Sequence, residues 1–179
     1  AELYRRDVSS AIDLYQPLPI SSMRIRHVRK AVKNNVLFGE EENLSEFWNL
    51  LTEVLQSQHG VGPVHSLSEI NKLRHSFPEN IRCFSARKEG IVIAGTLVFE
   101  TADVVHTQYL ANGLLGRELR GLDLVISELI KKYSNTKKYF SFGISSEEGG
   151  IVLNEGLISQ KEGFGARAQV HDFFRLKLV

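Results

Sequence analysis

Apolar residues recur along this chain at two spacings, and the switch between them separates helical from extended stretches. Leu44, Phe47, Trp48, Leu51, Val54 and Leu55 fall at steps of three and four, one face of a helix running to about Gln58. Asn43 followed by Glu46 has the form of a capping box at its start. A second box, Ser66 with Glu69, opens a helix carrying Leu67, Ile70, Leu73 and Phe77, and Pro78 stops it. The period then changes to two. Ile81 to Arg87, Ile91 to Thr101 and Val104 to Ala111 read as strands, joined by turns so short (Glu89-Gly90, Ala102-Asp103) that they must be antiparallel neighbours.

After Gly113 the spacing is helical again, with Leu119, Leu122, Ile126, Leu129, Ile130 and Tyr133 on one stripe of a helix that begins near Arg117. Tyr139 to Ile144 reads as a buried strand, Leu153 to Glu162 as a short helix, and Ala168 to Leu178 as a final strand. Near the start, Pro17 and Pro19 precede a helix capped by Ser21 or Ser22 and running to about Asn34, with Ile25, Val28 and Val32 expected on its inner stripe. Residues 1–20 are expected to be an N-terminal extension or linker, and 21–179 a single domain. The predicted fold class is α/β (α+β): a mixed, mostly antiparallel central sheet flanked by helices.

The 179 residues are 42% apolar and 24% charged, which excludes a disordered, collagenous or low-complexity chain. Lys and Arg number 22 against 21 for Asp and Glu, so no global field gathers a polyanion; any such partner must be met locally. The local concentration is Arg24, Arg26, Arg29, Lys30 and Lys33, read either as a solvated face or as a dock for an anionic substrate or membrane surface. Cys83 is the one cysteine, so no internal disulfide and no thiolate metal site is expected, and a reducing, cytoplasmic compartment is the simplest reading. The longest apolar run, Ile91 to Phe99, is less than half of the ~20 residues a membrane span needs. A start at Ala1-Glu2-Leu3 reads as a fragment or processed chain.

Candidate chemistry gathers in three places. Asn112, Gly113, Gly116, Arg117, Arg120 and Gly121 surround a helix start, where free N–H groups, the positive dipole end and two guanidinium groups suit a phosphate. On the strand before it, alternation puts Val104, His106, Gln108 and Leu110 on one face and Val105, Thr107, Tyr109 and Ala111 on the other. His106 beside Gln108 could then orient an amine and accept its proton, although a hydrogen-bonded histidine on a half-buried sheet has the same pattern. Glycine is dense from Gly143 to Gly165, and Glu155 and Lys161 are the titratable groups of that stretch to watch, as catalytic groups or as salt-bridge partners.

The motifs Pro63-Val64-His65-Ser66-Leu67, Phe77-Pro78-Glu79-Asn80-Ile81, Gln108-Tyr109-Leu110-Ala111, Phe142-Gly143, Asn154-Glu155-Gly156-Leu157 and Lys161-Glu162-Gly163-Phe164-Gly165-Ala166 together resemble GNAT-superfamily acetyltransferase-like proteins related to the Fem-type peptidyltransferases, over about residues 20 to 179. The resemblance implies a GNAT fold whose central strands splay to admit an acyl thioester, acyl-CoA as co-substrate, and its pyrophosphate on the Gly113–Gly121 loop. It also implies one half of a two-domain protein, an N-acyltransferase acting on an amine, with His106, Gln108, Glu155 and Lys161 catalytic and His65, Tyr109, Asn154 and Phe164 binding substrate; no metal is implied. The alternatives are an aminoacyl-tRNA-dependent transferase of cell-wall synthesis, supported by the basic helix, and a non-catalytic GNAT-like binding module. Two positions depart from the family pattern: Arg117-Glu118-Leu119-Arg120-Gly121 reproduces the acyl-CoA loop only in part, and Ser141 stands where relatives often carry Asp.

Overall fold

A computed structural model describes residues 1–177; the end of the last expected strand, Leu178, lies outside the described residues. The strands are β1 (Glu2–Asp13), β2 (Leu37–Glu40), β3 (Ile81–Lys88), β4 (Ile91–Glu100), β5 (Val104–Asn112), β6 (Tyr139–Ile144), β7 (Ser146–Glu147), β8 (Val152–Leu153) and β9 (Arg167–Arg175). The helices are α1 (Ser22–Lys33), α2 (Ser45–His59), α3 (Leu67–Ser76), α4 (Leu114–Leu119), α5 (Gly121–Tyr133) and α6 (Glu155–Glu162). Seven strands form one sheet in the order β2-β3-β4-β5-β6-β1-β9, with β7 and β8 paired apart from it. Every neighbouring pair in the large sheet is antiparallel except β5 with β6. The mixed, mostly antiparallel sheet flanked by helices is the architecture expected.

One face of the sheet carries α1 and α5, where Ala31, Leu122, Val125, Ile126 and Leu129 pack on Phe84, Val98, Val105 and Phe140. The other carries α2 and α3, where Phe47, Trp48, Leu51 and Ile70 pack on Ile81, Cys83, Leu97 and Ala111. Cys83 is fully buried, and desolvation pushes its thiol up to about 12, so it behaves as a small apolar residue.

Residues 2–13 are not an extension or linker: they are β1, hydrogen-bonded between β6 and β9. The sequence hides this because several inward positions are polar. Asp7 is buried beneath the Arg5 guanidinium (2.7 Å), Ser9 meets His171 (2.7 Å) and Ser10 lies 3.4 Å from Ser145, so burial costs little unsatisfied polarity.

The capping box at Ser66 and Glu69 is present in full. The one read at Asn43 is not. Asn43 Oδ1 accepts from Ser45 N–H (2.9 Å), the cap position is Leu44, and Glu46 pairs with Arg87 (2.7 Å) instead of turning back. In α1, capped by Ser21 Oγ, the inner stripe is rotated from the one expected: Arg24 and Ala31 are buried, while Ile25 and Val32 are exposed. An arginine can face inward here because Asp123 in the first turn of α5 meets it at 2.7 Å and its guanidinium lies 5.0 Å from the centre of the Phe164 ring. The helix expected to start near Arg117 is two helices, α4 and α5, joined at Arg120 in a left-handed conformation (φ 65°). The stretch from Leu153 begins its helix at Glu155, Leu153 itself belonging to β8.

Candidate functional site where two central strands part

Strands β5 and β6 are paired only over Val104–Tyr139, Val105–Phe140 and His106–Ser141, although β5 runs on to Asn112 and β6 to Ile144. Beyond His106 they diverge, and the gap is a cleft of about 280 Å³ lined by His106, Gln108, Leu110, Phe142, Gly143 and Lys161 among others. On its other edge β5 carries a bulge. Val98 pairs with Thr107 and Leu97 with Tyr109, which leaves Gln108 with no opposite number on β4. The bulge also breaks the expected two-face alternation: Val105 and Leu110 pack on the α1/α5 side, Tyr109 and Ala111 on the α2/α3 side.

His106 is half-buried, its Nδ1 3.0 Å from Ser141 Oγ. The tautomer in which Nδ1 donates to that hydroxyl leaves Nε2 with a free lone pair. Gly143, at φ 72°, passes so close that a Cβ there would lie 3.2 Å from the imidazole Cε1. Ser141, noted in the sequence only as a departure from pattern, thus holds the histidine. Burial, and secondarily the charge of Lys161, push the His106 pKa below its ordinary 6.5, so the ring is neutral at neutral pH.

Lys161 enters from α6 and is only 3% exposed. Its Nζ donates to Gly143 O (3.1 Å), Ile144 O (2.7 Å) and Ser145 Oγ (2.9 Å), using all three ammonium protons on the free end of β6. No carboxylate pairs with it among the described residues. Desolvation alone brings its pKa down to about 8, so at neutral pH it is mostly a buried, uncompensated positive charge beside the cleft.

The structure brings together His106, Gln108 and Lys161 and leaves the other candidates elsewhere. Glu155 is exposed at the start of α6 and does not line the cleft. Asn154 caps α6, accepting from Leu157 N–H (2.8 Å) and donating to Glu147 (2.7 Å). Phe164 is core, stacked on Phe142 at 6.2 Å. His65 and Tyr109 bond one another (2.6 Å) on the α2/α3 side, where Trp48 meets Tyr109 edge-on.

The residues expected to hold a pyrophosphate are in part committed to the protein itself, although Asn112, Gly113 and Arg117 also line an opening of about 290 Å³ at the start of α4. Gly113 N–H is spent on Ile93 O (3.1 Å), and Gly116 is pressed onto the same carbonyl so closely that a Cβ would lie 2.1 Å from it. Arg117 Nε donates to Asn112 O (3.2 Å), and Gly121 packs on Ala86 and Ala94. The first turn of α5 is buried, and its positive end already faces the Asp123 carboxylate, which bonds Arg24 and His27. Asn112 Oδ1 and Arg120 Nε are buried without partners at this junction, but they are one acceptor and one lone donor rather than a cradle. Gly116 and Gly121 let α4 and α5 approach the sheet.

No protein-family pattern matches the chain, and no curated protein matches it. Solved structures do match. FemX superposes with a TM-score of 0.71 at 11% identity, over 95% of this chain and 62% of that one. A C-terminal domain assigned to a lysylphosphatidylglycerol synthetase from Agrobacterium fabrum gives 0.67 at 11% identity, over 96% and 60%. L-PGS from Bacillus licheniformis gives 0.62 at 15% identity, over 93% and 59%. The chain therefore spans about three fifths of each of these neighbours, and what it shares with them is the fold.

Proposed function

From this shared fold, we propose that the chain is an acyltransferase whose cleft between β5 and β6 receives an activated acyl group and passes it to an amine. The observation that carries the reading is the parting of the two strands after His106, with a neutral imidazole and a buried ammonium facing one gap. The amine of the acceptor attacks the acyl carbonyl; the free Nε2 of His106 takes the proton that the nitrogen loses, and the carrier leaves with the electron pair of the broken bond. The buried charge of Lys161 would stabilise negative charge on the carbonyl oxygen. Burial, and secondarily the charge of Lys161, keep His106 unprotonated and ready to accept that proton.

Because Gly113 N–H, Gly116 and the first turn of α5 are taken up by contacts within the protein, an aminoacyl ester of tRNA is favoured over acyl-CoA as donor. Incubating the protein with a panel of aminoacyl-tRNAs and acyl-CoA thioesters, and following both turnover and thermal stability, separates the two. A donor present at 100 times its Kd should stabilise the fold by about 2.7 kcal/mol. Stabilisation and transfer with aminoacyl esters are expected; transfer from acyl-CoA alone would reverse the choice of donor, and no response to either class leaves the cleft without an acyl substrate.

A further inference from the structure

Helix α1 does not line the cleft, yet its outer surface is strongly basic. Arg26, Arg29, Lys30 and Lys33 point outward, α1 contains no acidic residue, and none of the four makes an ion pair among the described residues. Three apolar side chains flank this basic stripe in the open: Met23 (44% exposed), Ile25 (41%) and Val32 (58%). Beside Ile25 the gap between α1 and α5 is a groove of about 250 Å³ lined by Ile20, Ile25, Val28, Arg29, Ser127 and Lys131, the last also bonded to Glu128.

We propose that α1 and this groove form a docking surface for an anionic lipid bilayer, the basic stripe meeting headgroups and Ile25, Val32 and Met23 entering the interface. A helix with cations on its outer face and apolar shoulders suits a surface that is charged and has hydrocarbon beneath it. RNA would meet the same charge but gain nothing from aliphatic shoulders, and the one ring of α1, His27, is turned onto Asp123 (3.2 Å) and away from the basic stripe. Arg24, the residue that seemed to extend the stripe, is buried against Asp123 and takes no part. The Ser21 N–H at the start of α1 donates to Gly163 O (2.9 Å) just past α6, so the surface adjoins the helix that carries Lys161.

The test is co-sedimentation of the whole chain with vesicles of phosphatidylcholine, with or without phosphatidylglycerol. The protein is expected to sediment only with the anionic vesicles, and less so as salt rises. Each basic side chain near such a surface is worth roughly fivefold in partitioning, so the fourfold variant Arg26→Gln, Arg29→Gln, Lys30→Gln, Lys33→Gln should lose about 600-fold. Ile25→Ser with Val32→Ser should remove the binding that survives in high salt. All six positions are exposed, and unchanged circular dichroism confirms that the variants fold. Equal sedimentation with both vesicle types, full binding by the fourfold variant, or retardation of tRNA in a gel by a protein that ignores anionic vesicles would each overturn the proposal.

Discussion

Replacing Lys161 by Met removes a charge that the fold holds at a cost, and the size of that cost sets a measurable pH dependence. A lysine whose pKa falls from 10.5 unfolded to about 8 folded opposes folding, while charged in both states, by about 3 kcal/mol. The sign comes from proton counting. Between the folded and unfolded values the native lysine is already neutral and the unfolded one still protonated, so the unfolded chain binds more protons and stability rises with pH. Over the window from about pH 7 to about pH 9.5 the gain is about 2 kcal/mol. Cys83 and Tyr133, both pushed up by burial, act in the opposite direction at alkaline pH, but they are common to both proteins and cancel in the difference. Met leaves Gly143 O, Ile144 O and Ser145 Oγ short of a donor, an offset of roughly 1–3 kcal/mol per group that does not vary with pH. Urea unfolding of the two proteins at several pH values is the assay, and the wild type should gain about 2 kcal/mol on the variant across that window. Parallel stability curves would show that Lys161 titrates as a solvated amine, and the electrostatic account of the cleft would fall with it.

His106→Gln should lower turnover about 100-fold with any accepted donor and abolish the acid limb of the pH–rate profile, which in the wild type lies below 6.5; an unchanged rate removes His106 as the proton acceptor. Asp123→Ala leaves the buried Arg24 guanidinium uncompensated and should cost about 3–5 kcal/mol in urea unfolding, with much of the loss recovered when Arg24→Met is added. Gly116→Ala places a methyl group against Ile93 O and should destabilise by roughly 1–3 kcal/mol with α4 displaced, whereas the same change at exposed Gly62, whose Cβ would meet nothing, should be close to neutral.

Several elements need nothing beyond local periodicity and local capping, and these are legible in the amino-acid order. The steps of three and four in α2 and α5 mark faces that must be buried, the run from Ile81 to Ala111 is rich in β-formers and turns too tightly to be anything but a meander, and Ser66 with Glu69 satisfies the N–H groups of a helix start wherever that helix goes. His106, Gln108 and Lys161 are equally legible as chemistry-bearing residues near glycines and a strand end. What they do is not, because it depends on partners distant in the chain. Long-range contacts make residues 2–13 a strand of the sheet, since Asp7, Ser9 and Ser10 can be buried only once Ser146, His171 and Ser145 lie opposite to bond them. They also set the face of α1, which Asp123, ninety-nine residues on, turns by pairing with Arg24. A single inserted residue at Gln108 reverses the side-chain parity of β5, and a bulge is a matter of register between two strands, invisible in either one. The glycines around α4 read as a phosphate loop because a close backbone approach to a ligand and one to Ile93 demand the same residue; only the packed sheet shows which of the two occurs.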